Sequence, residues 1–268
     1  MTQQTAHYFF DKGEADEQAR LGGIAAMFDP LAIRHLGAAG VAPGWRCLEV
    51  GAGTGTIARW LVDRVGPTGR VTATDVDLRF LDELPGVEVI QHDVTTDPLE
   101  PDAYDLVHAR MVVEHLPDRP AVIGRLAAAL RPGGVLMLED LIFGGPVTAA
   151  IEPATRPADA GPVITRCSDA FAAGLRAAGA NPHYGGELPG ALAAAGLREI
   201  QAEFTHRLIY GGSPESAFYR HNLLERGAQL VSVGLLQQED LQRVMLATSD
   251  PAVSWFTIGL VTAWGRRP

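Results

Sequence analysis

Cys47-Leu48-Glu49-Val50-Gly51-Ala52-Gly53-Thr54-Gly55-Thr56 joins an apolar run to a glycine-rich one, and the rest of the chain is arranged around it. Its apolar opening, Cys47, Leu48 and Val50, reads as a buried strand, and Ile57, Trp60, Leu61 and Val65 beyond it recur at helical spacing. The glycines between are therefore a strand-to-helix turn. Gly51, Gly53 and Gly55 stand at alternate positions, where the missing Cβ permits positive φ angles and lets a ligand approach the main chain.

A dinucleotide-binding turn would want its third glycine at position 56, for close helix packing under a pyrophosphate. This chain has Thr56 there, which argues against a nicotinamide oxidoreductase. What stands instead is acid-x-Gly-x-Gly-x-Gly with Glu49 at the strand end, and this resembles motif I of the class I S-adenosylmethionine-dependent methyltransferases. That cofactor has no pyrophosphate but carries an amino-acid tail, and the resemblance implies that Glu49 serves its ammonium.

The neighbours of the turn agree. Residues 70–76 read as a second strand ending in Asp75, about 20 residues past the last glycine, where α/β nucleotide folds place the carboxylate for the ribose hydroxyls. Asp77 is a competitor for that role. Residues 87–94 read as a third strand, and the resemblance implies that Asp93 meets the adenine amino group while Val94 lies against the ring. Residues 104–110 are a fourth strand. Asp118 then reads as the N-cap of a helix with the apolar stripe Val122, Ile123, Leu126 and Leu130, which Arg131-Pro132-Gly133-Gly134 ends before a fifth strand over 135–140. The run Asp105-Leu106-Val107, Glu114-His115-Leu116-Pro117-Asp118, Leu130-Arg131-Pro132-Gly133-Gly134 resembles the later class I motifs in order and spacing, so that the likeness covers about residues 44–142. It implies a Rossmann-like α/β fold, a mostly parallel seven-stranded sheet flanked by helices with helical lid insertions. It also assigns Gly51, Ala52, Gly53, Gly55, Glu49, Asp75, Val76, Asp93, Val94, Ala109 and Arg110 to S-adenosylmethionine, with S-adenosylhomocysteine as product.

Outside that series the signals are coarser. Residues from 14 to about 36 read as one or two helices broken near Asp29-Pro30, making 1–43 an N-terminal helical lid segment ahead of a domain over 44–268. Helical insertions are expected at about 144–186, with a helix opened by Ser168 and closed by Gly179, and at about 213–248. A short helix over 187–195, a sixth strand over 198–210 and a last strand over 253–264 complete the chain. No second domain with its own core stands out.

The 268 residues, 47 % of them hydrophobic, suffice for such a domain, and the formal net charge of −10 argues against nucleic acid or an anionic membrane as partner. A small-molecule acceptor is expected, and any self-association is expected to be a homodimer. Cys47 and Cys167 show neither metal nor disulfide spacing, and the start of the chain lacks the regions of a signal peptide. No metal and a cytoplasmic location follow as expectations.

Transfer from a sulfonium needs alignment above all, plus a base where the acceptor loses a proton. His115, in the loop after the fourth strand, is the candidate catalytic base, against a structural role for a histidine at this place in the resembled enzymes. His108 reads as packed or hydrogen-bonded. Tyr8, Phe143, Tyr184 and Tyr219 are candidate walls of the acceptor pocket. The expected activity is methyl transfer to an oxygen, nitrogen or carbon of a small molecule, of the kind that tailors secondary metabolites; the alternative is a cofactor-binding cyclase of the same fold, since function belongs to the acceptor site.

Overall fold

A computed structural model describes residues 14–81 and 84–268. Along the chain run α1 (Glu14–Ala38), β1 (Arg46–Val50), α2 (Thr56–Val65), β2 (Arg70–Asp75), β3 (Val87–Gln91), β4 (Tyr104–Arg110), α3 (Arg119–Ala129), β5 (Leu130–Ile142), α4 (Pro146–Ile151) and α5 (Gly161–Ala177). Then come α6 (Leu188–Ala194), β6 (Arg198–Thr205), β7 (Leu208–Tyr210), α7 (Ser216–Ser232), α8 (Gln238–Ala247), β8 (Ser254–Phe256) and β9 (Gly259–Arg266). They form two compact units, one of 14–27, Ile142–Pro182 and Thr205–Gly259, the other of Phe28–Leu141, His183–Phe204 and Leu260–Pro268.

The second unit holds a seven-stranded sheet in the order β3-β2-β1-β4-β5-β9-β6. β3, β2, β1, β4 and β5 pair in parallel, with Glu49 opposite both Ala73 and His108. The chain leaves β1 toward β2 and β3 and later returns to β4 on the other side, so β1 and β4 make the switch point at whose carboxyl end such sheets bind ligands. On one face, Cys47, Val71, Ala73, Leu106, Val135 and Met137 pack beneath Ala32 and Leu36 of α1 and Ile57, Leu61 and Val65 of α2. Asp118 caps α3 as expected, its carboxylate accepting from Ala121 N at 3.3 Å. Arg131–Gly134 is not a turn ahead of the strand but a bulge inside β5, where the register with β4 slips between Tyr104 and Leu106.

Other expectations are corrected. α1 runs unbroken through Pro30, because the buried Phe28, Ala32 and Leu36 offset the one hydrogen bond a proline removes. β3 stops at Gln91, leaving Asp93 and Val94 in the turn that follows. Ser168 lies inside α5, which opens at Gly161 with a proline in its first turn; that proline is the signal a sequence reading could have used.

The expected strands over 198–210 and 253–264 each split in two, into β6 and β7 and into β8 and β9, of which β7 and β8 belong to the first unit. β7 pairs antiparallel with β8, Ile209 opposite Trp255, as a separate two-stranded sheet. Both breaks fall at facing positions: Arg207 N donates to Thr257 Oγ1 at 3.0 Å and Thr257 N to Arg207 O at 2.8 Å. This unit has apolar clusters of its own, one of Val163, Cys167, Ala170, Leu223, Leu230, Leu236 and Val244, the other of Ile209, Val253 and Trp255. They assemble from separate stretches of chain, so no shift of composition marks them in the sequence. No helix among the described residues is long and apolar enough to cross a membrane.

Candidate functional site

The turn after β1 is built as the glycines require. Gly51, Gly53 and Gly55 have φ of +66°, +55° and +71°, and a Cβ on Gly51 would overlap Val112 Cγ2 while one on Gly55 would overlap Leu84 Cδ1. Gly51 N and Ala52 N both donate to Thr74 O, at 2.8 and 3.0 Å, stitching the turn to β2. α2 then opens at Gly55 with no side-chain cap, which turns the N–H groups of its first turn into available donors. Beside it, Asp75 Oδ2 accepts from Gly53 N at 2.9 Å and Oδ1 from Asp77 N at 3.1 Å. Burial pushes the pKa of Asp75 up, and the N–H groups of Gly53, Asp77 and Val76 pull it part of the way back. Asp77 is not a rival, since its carboxylate is committed to the Arg79 guanidinium and to Arg79 N. Val76, next in line, is 61 % exposed, an apolar surface beside the carboxylate.

Behind the turn, a row of buried charged and polar groups crosses β1, β4, β5 and β9. His108 Nδ1 lies 2.7 Å from Glu49 Oε2, and its Nε2 lies 3.3 Å from Glu139 Oε2. Thr262 Oγ1 donates to Glu139 Oε1 at 2.6 Å, and His35 Nδ1 stands 3.8 Å from that same oxygen. His108 is wholly buried, which alone would push its pKa down, but the charges and hydrogen bonds of Glu49 and Glu139 lift it to about 9. Burial works to raise Glu139 in turn, and the hydrogen bond from His108, with His35 close by, holds it well below the usual carboxylate range. The imidazolium between two carboxylates is thus the charged form at neutral pH. One oxygen of Glu49 is thus committed to His108, and only Oε1 lies outside that pair.

A second buried acidic group follows β4. Glu114 Oε1 lies 3.3 Å from His115 Nε2, and Glu114 Oε2 accepts from Leu141 N at 2.8 Å. Asp140 is 1 % exposed, and neither of its oxygens has a hydrogen-bond partner among the described residues. Burial, then the Glu114 charge, raises its pKa well above the usual range. Tyr184 is buried against this group with the Arg119 guanidinium 5.2 Å from its ring centre. Among the described residues, no cluster suited to a metal ion occurs.

A family model described as a methyltransferase domain matches residues 8–164, more than half of the chain. The chain belongs to this family, the class I S-adenosylmethionine-dependent methyltransferases. The ubiquinone/menaquinone C-methyltransferase UbiE of Laribacter hongkongensis is 27 % identical over 162 residues, covering 50 % of this chain and 66 % of that protein. The malonyl-[acyl-carrier protein] O-methyltransferase of Serratia marcescens is 32 % identical over 124 residues, 45 % of this chain and 48 % of the other. The match thus spans under two thirds of each of these relatives. Among solved structures, a Bacillus halodurans protein described as a candidate methyltransferase aligns with a TM-score of 0.59 at 16 % identity, covering 88 % of this chain and 98 % of that one. That likeness shows the fold. Both curated relatives are named for methyl transfer, and neither lends support to the cyclase alternative.

Within this methyltransferase fold, Gly51, Ala52, Gly53, Gly55, Asp75 and Val76 come together at one sheet edge as the sequence suggested. Asp93 differs: its Oδ1 accepts from Thr95 N at 2.8 Å and Thr95 Oγ1 at 2.6 Å, and Val94 is buried. Ala109 is buried in β4, and Arg110 Nη2 binds Asp29 Oδ1 at 2.7 Å while Nη1 is buried with no partner among the described residues. Tyr184 lies in the second unit, Phe143 and Tyr219 in the first. Phe143 is buried, and Tyr219 gives its hydroxyl as acceptor to Ile258 N at 2.6 Å and packs edge-on against Trp255. Tyr8 lies outside the described residues. Sequence reasoning missed Glu114 and Asp140 as a pair and Val112 as the packing partner of Gly51; charges in a strand otherwise apolar on both sides were the available signal for His108 and Glu139.

Asp75→Ala is expected to weaken binding of S-adenosylhomocysteine by about 10-fold or more, because it removes a charged acceptor and also frees Gly53 N. Titration calorimetry at neutral pH checks this, with unchanged affinity removing Asp75 from the site.

Proposed function

We propose that the chain moves a methyl group from S-adenosylmethionine to an oxygen, nitrogen or carbon of a small-molecule acceptor. The observation that carries this reading is the Asp75 carboxylate held against Gly53 N beside the uncapped start of α2. The residues present fit the cofactor: Asp75 suits a vicinal diol, the exposed Val76 suits a purine face, and the unpartnered Arg110 Nη1 suits a carboxylate. When bound, the cofactor supplies a methyl group already activated on a sulfonium. The chain's own part is to bind, orient and deprotonate. His115 takes the acceptor proton, with Glu114 behind it fixing the ring through Nε2 in the manner of an orienting carboxylate.

Incubation with labelled S-adenosylmethionine and phenolic, amine and carboxylate acceptors is expected to yield methylated product and S-adenosylhomocysteine in equal amounts. Product formed equally well from the demethylated cofactor would overturn the proposal. For an acceptor that loses a proton, His115→Ala is expected to lower kcat by about 100-fold and to abolish the acid limb of its pH profile. An unaltered profile would return His115 to a structural role.

A further inference from the structure

The best-determined feature the cofactor reading leaves unused is the imidazolium of His108, wholly buried in the middle of the sheet. We propose that His108 is a positioning residue of the cofactor site, clamped between Glu49 and Glu139 so that it fixes the Glu49 side chain and directs its second oxygen to the ammonium of the cofactor's amino-acid tail. This rests on the cofactor assignment above.

The geometry leaves one division of labour. Glu49 Oε2 is taken by His108 Nδ1 at 2.7 Å, which leaves Oε1 to meet a ligand. Glu49 is the last residue but one of β1 and immediately precedes the glycine turn by one position, and its own carbonyl accepts from Thr74 Oγ1 at 3.2 Å. Its main chain is therefore fixed, and its side chain is steered by the imidazole. His108 is steered in turn: Nε2 lies 3.3 Å from Glu139 Oε2, and the other Glu139 oxygen is held by Thr262 Oγ1 at 2.6 Å.

The groups facing His108 are Glu49 on β1 and Glu139 on β5. Behind Glu139 stand His35 on α1, itself 3.4 Å from Glu203 Oε2 on β6, and Arg110 on β4, paired with Asp29 on α1. Without the imidazole at position 108, Glu49 and Glu139 would be two neighbouring buried carboxylates with no partner between them, and the Glu49 side chain would lose the hydrogen bond that sets its direction.

The test compares two probes, S-adenosylhomocysteine, which has the amino-acid tail, and 5′-methylthioadenosine, which lacks it. In His108→Gln, affinity for the first is expected to fall on the order of 10-fold, while affinity for the second changes by less than about 2-fold. On the wild-type protein, nitrogen NMR is expected to show His108 doubly protonated at neutral pH, with its Nδ1 resonance moved by S-adenosylhomocysteine and not by methylthioadenosine; this reading stands whether or not the variant folds. Equal losses for the two probes, no loss, or a resonance that both probes move alike would overturn the positioning role. Failure of the wild-type protein to bind either probe would instead overturn the cofactor assignment.

Discussion

Gly51→Ala is expected to cost about a hundredfold in cofactor affinity while leaving the fold in place. The backbone at position 51 has φ +66°, a left-handed conformation that a residue with a Cβ adopts at about 1–2 kcal/mol. The new methyl would also overlap Val112 Cγ2, so that either the turn or Val112 has to move, adding on the order of 1–3 kcal/mol. Val112 cannot move alone: its carbonyl accepts from His115 N at 3.0 Å, at the start of the short turn that carries the proposed base. The substitution therefore disturbs the cofactor turn and the base together, and kcat is expected to fall with affinity. Calorimetry with S-adenosylhomocysteine and a circular dichroism spectrum read the two parts. Pairing Gly51→Ala with Val112→Ala is expected to recover the steric part only, leaving a loss of about 10-fold from the backbone conformation. Full recovery would mean that the positive φ is not what the site needs.

His108→Leu is expected to destabilise the protein by about 3–5 kcal/mol, the cost of removing one partner from a buried ionic group. Leucine fills similar space, so the loss is one of charge: Glu49 and Glu139 are left buried with no cation between them. The pH dependence has a definite sign. His108 is raised in the folded state from 6.5 to about 9, so its stabilisation is complete below about pH 6.5 and is lost as the pH rises through 9. Glu139 is shifted the other way, so its contribution is present above the ordinary carboxylate value and is lost as the pH falls through its depressed folded value. Wild-type stability is thus greatest between the two ordinary values, from about pH 4.5 to about pH 6.5. In the leucine variant Glu49 and Glu139 have no cation between them, and the stabilisation that His108 supplies is lost as the pH rises through about 9, so the gap to wild type is expected to be largest at about pH 6 and to shrink toward about pH 9. Urea titrations at those two values decide it. A gap of constant size would make His108 a matter of packing alone.

Local chemistry was enough for part of this protein. The glycine turn was legible because only glycine readily takes three left-handed positions so close together, and Asp75 because it is the acid that ends the strand following such a turn. The cap at Asp118 was legible because its carboxylate reaches only the first turn of its own helix. The turn and the cap depend on neighbours within a few residues, and Asp75 on one strand–helix–strand unit.

The rest depended on strands far apart in the chain. Residues 198–210 alternate like one strand, and nothing inside them announces the break at His206-Arg207, which exists because Thr257 faces it from another segment. Pro30 looks like a helix breaker until the burial of Phe28, Ala32 and Leu36 outweighs it. Glu49, His108 and Glu139 lie 59 and 31 residues apart, and only the parallel register of β1, β4 and β5 sets two acids on either side of one imidazole. The sequence by itself determined which backbone can bend and where acids end strands; the tertiary structure decided which charges share a buried space, since the energy of a charge without water is set by the groups that surround it and not by those that precede it in the chain.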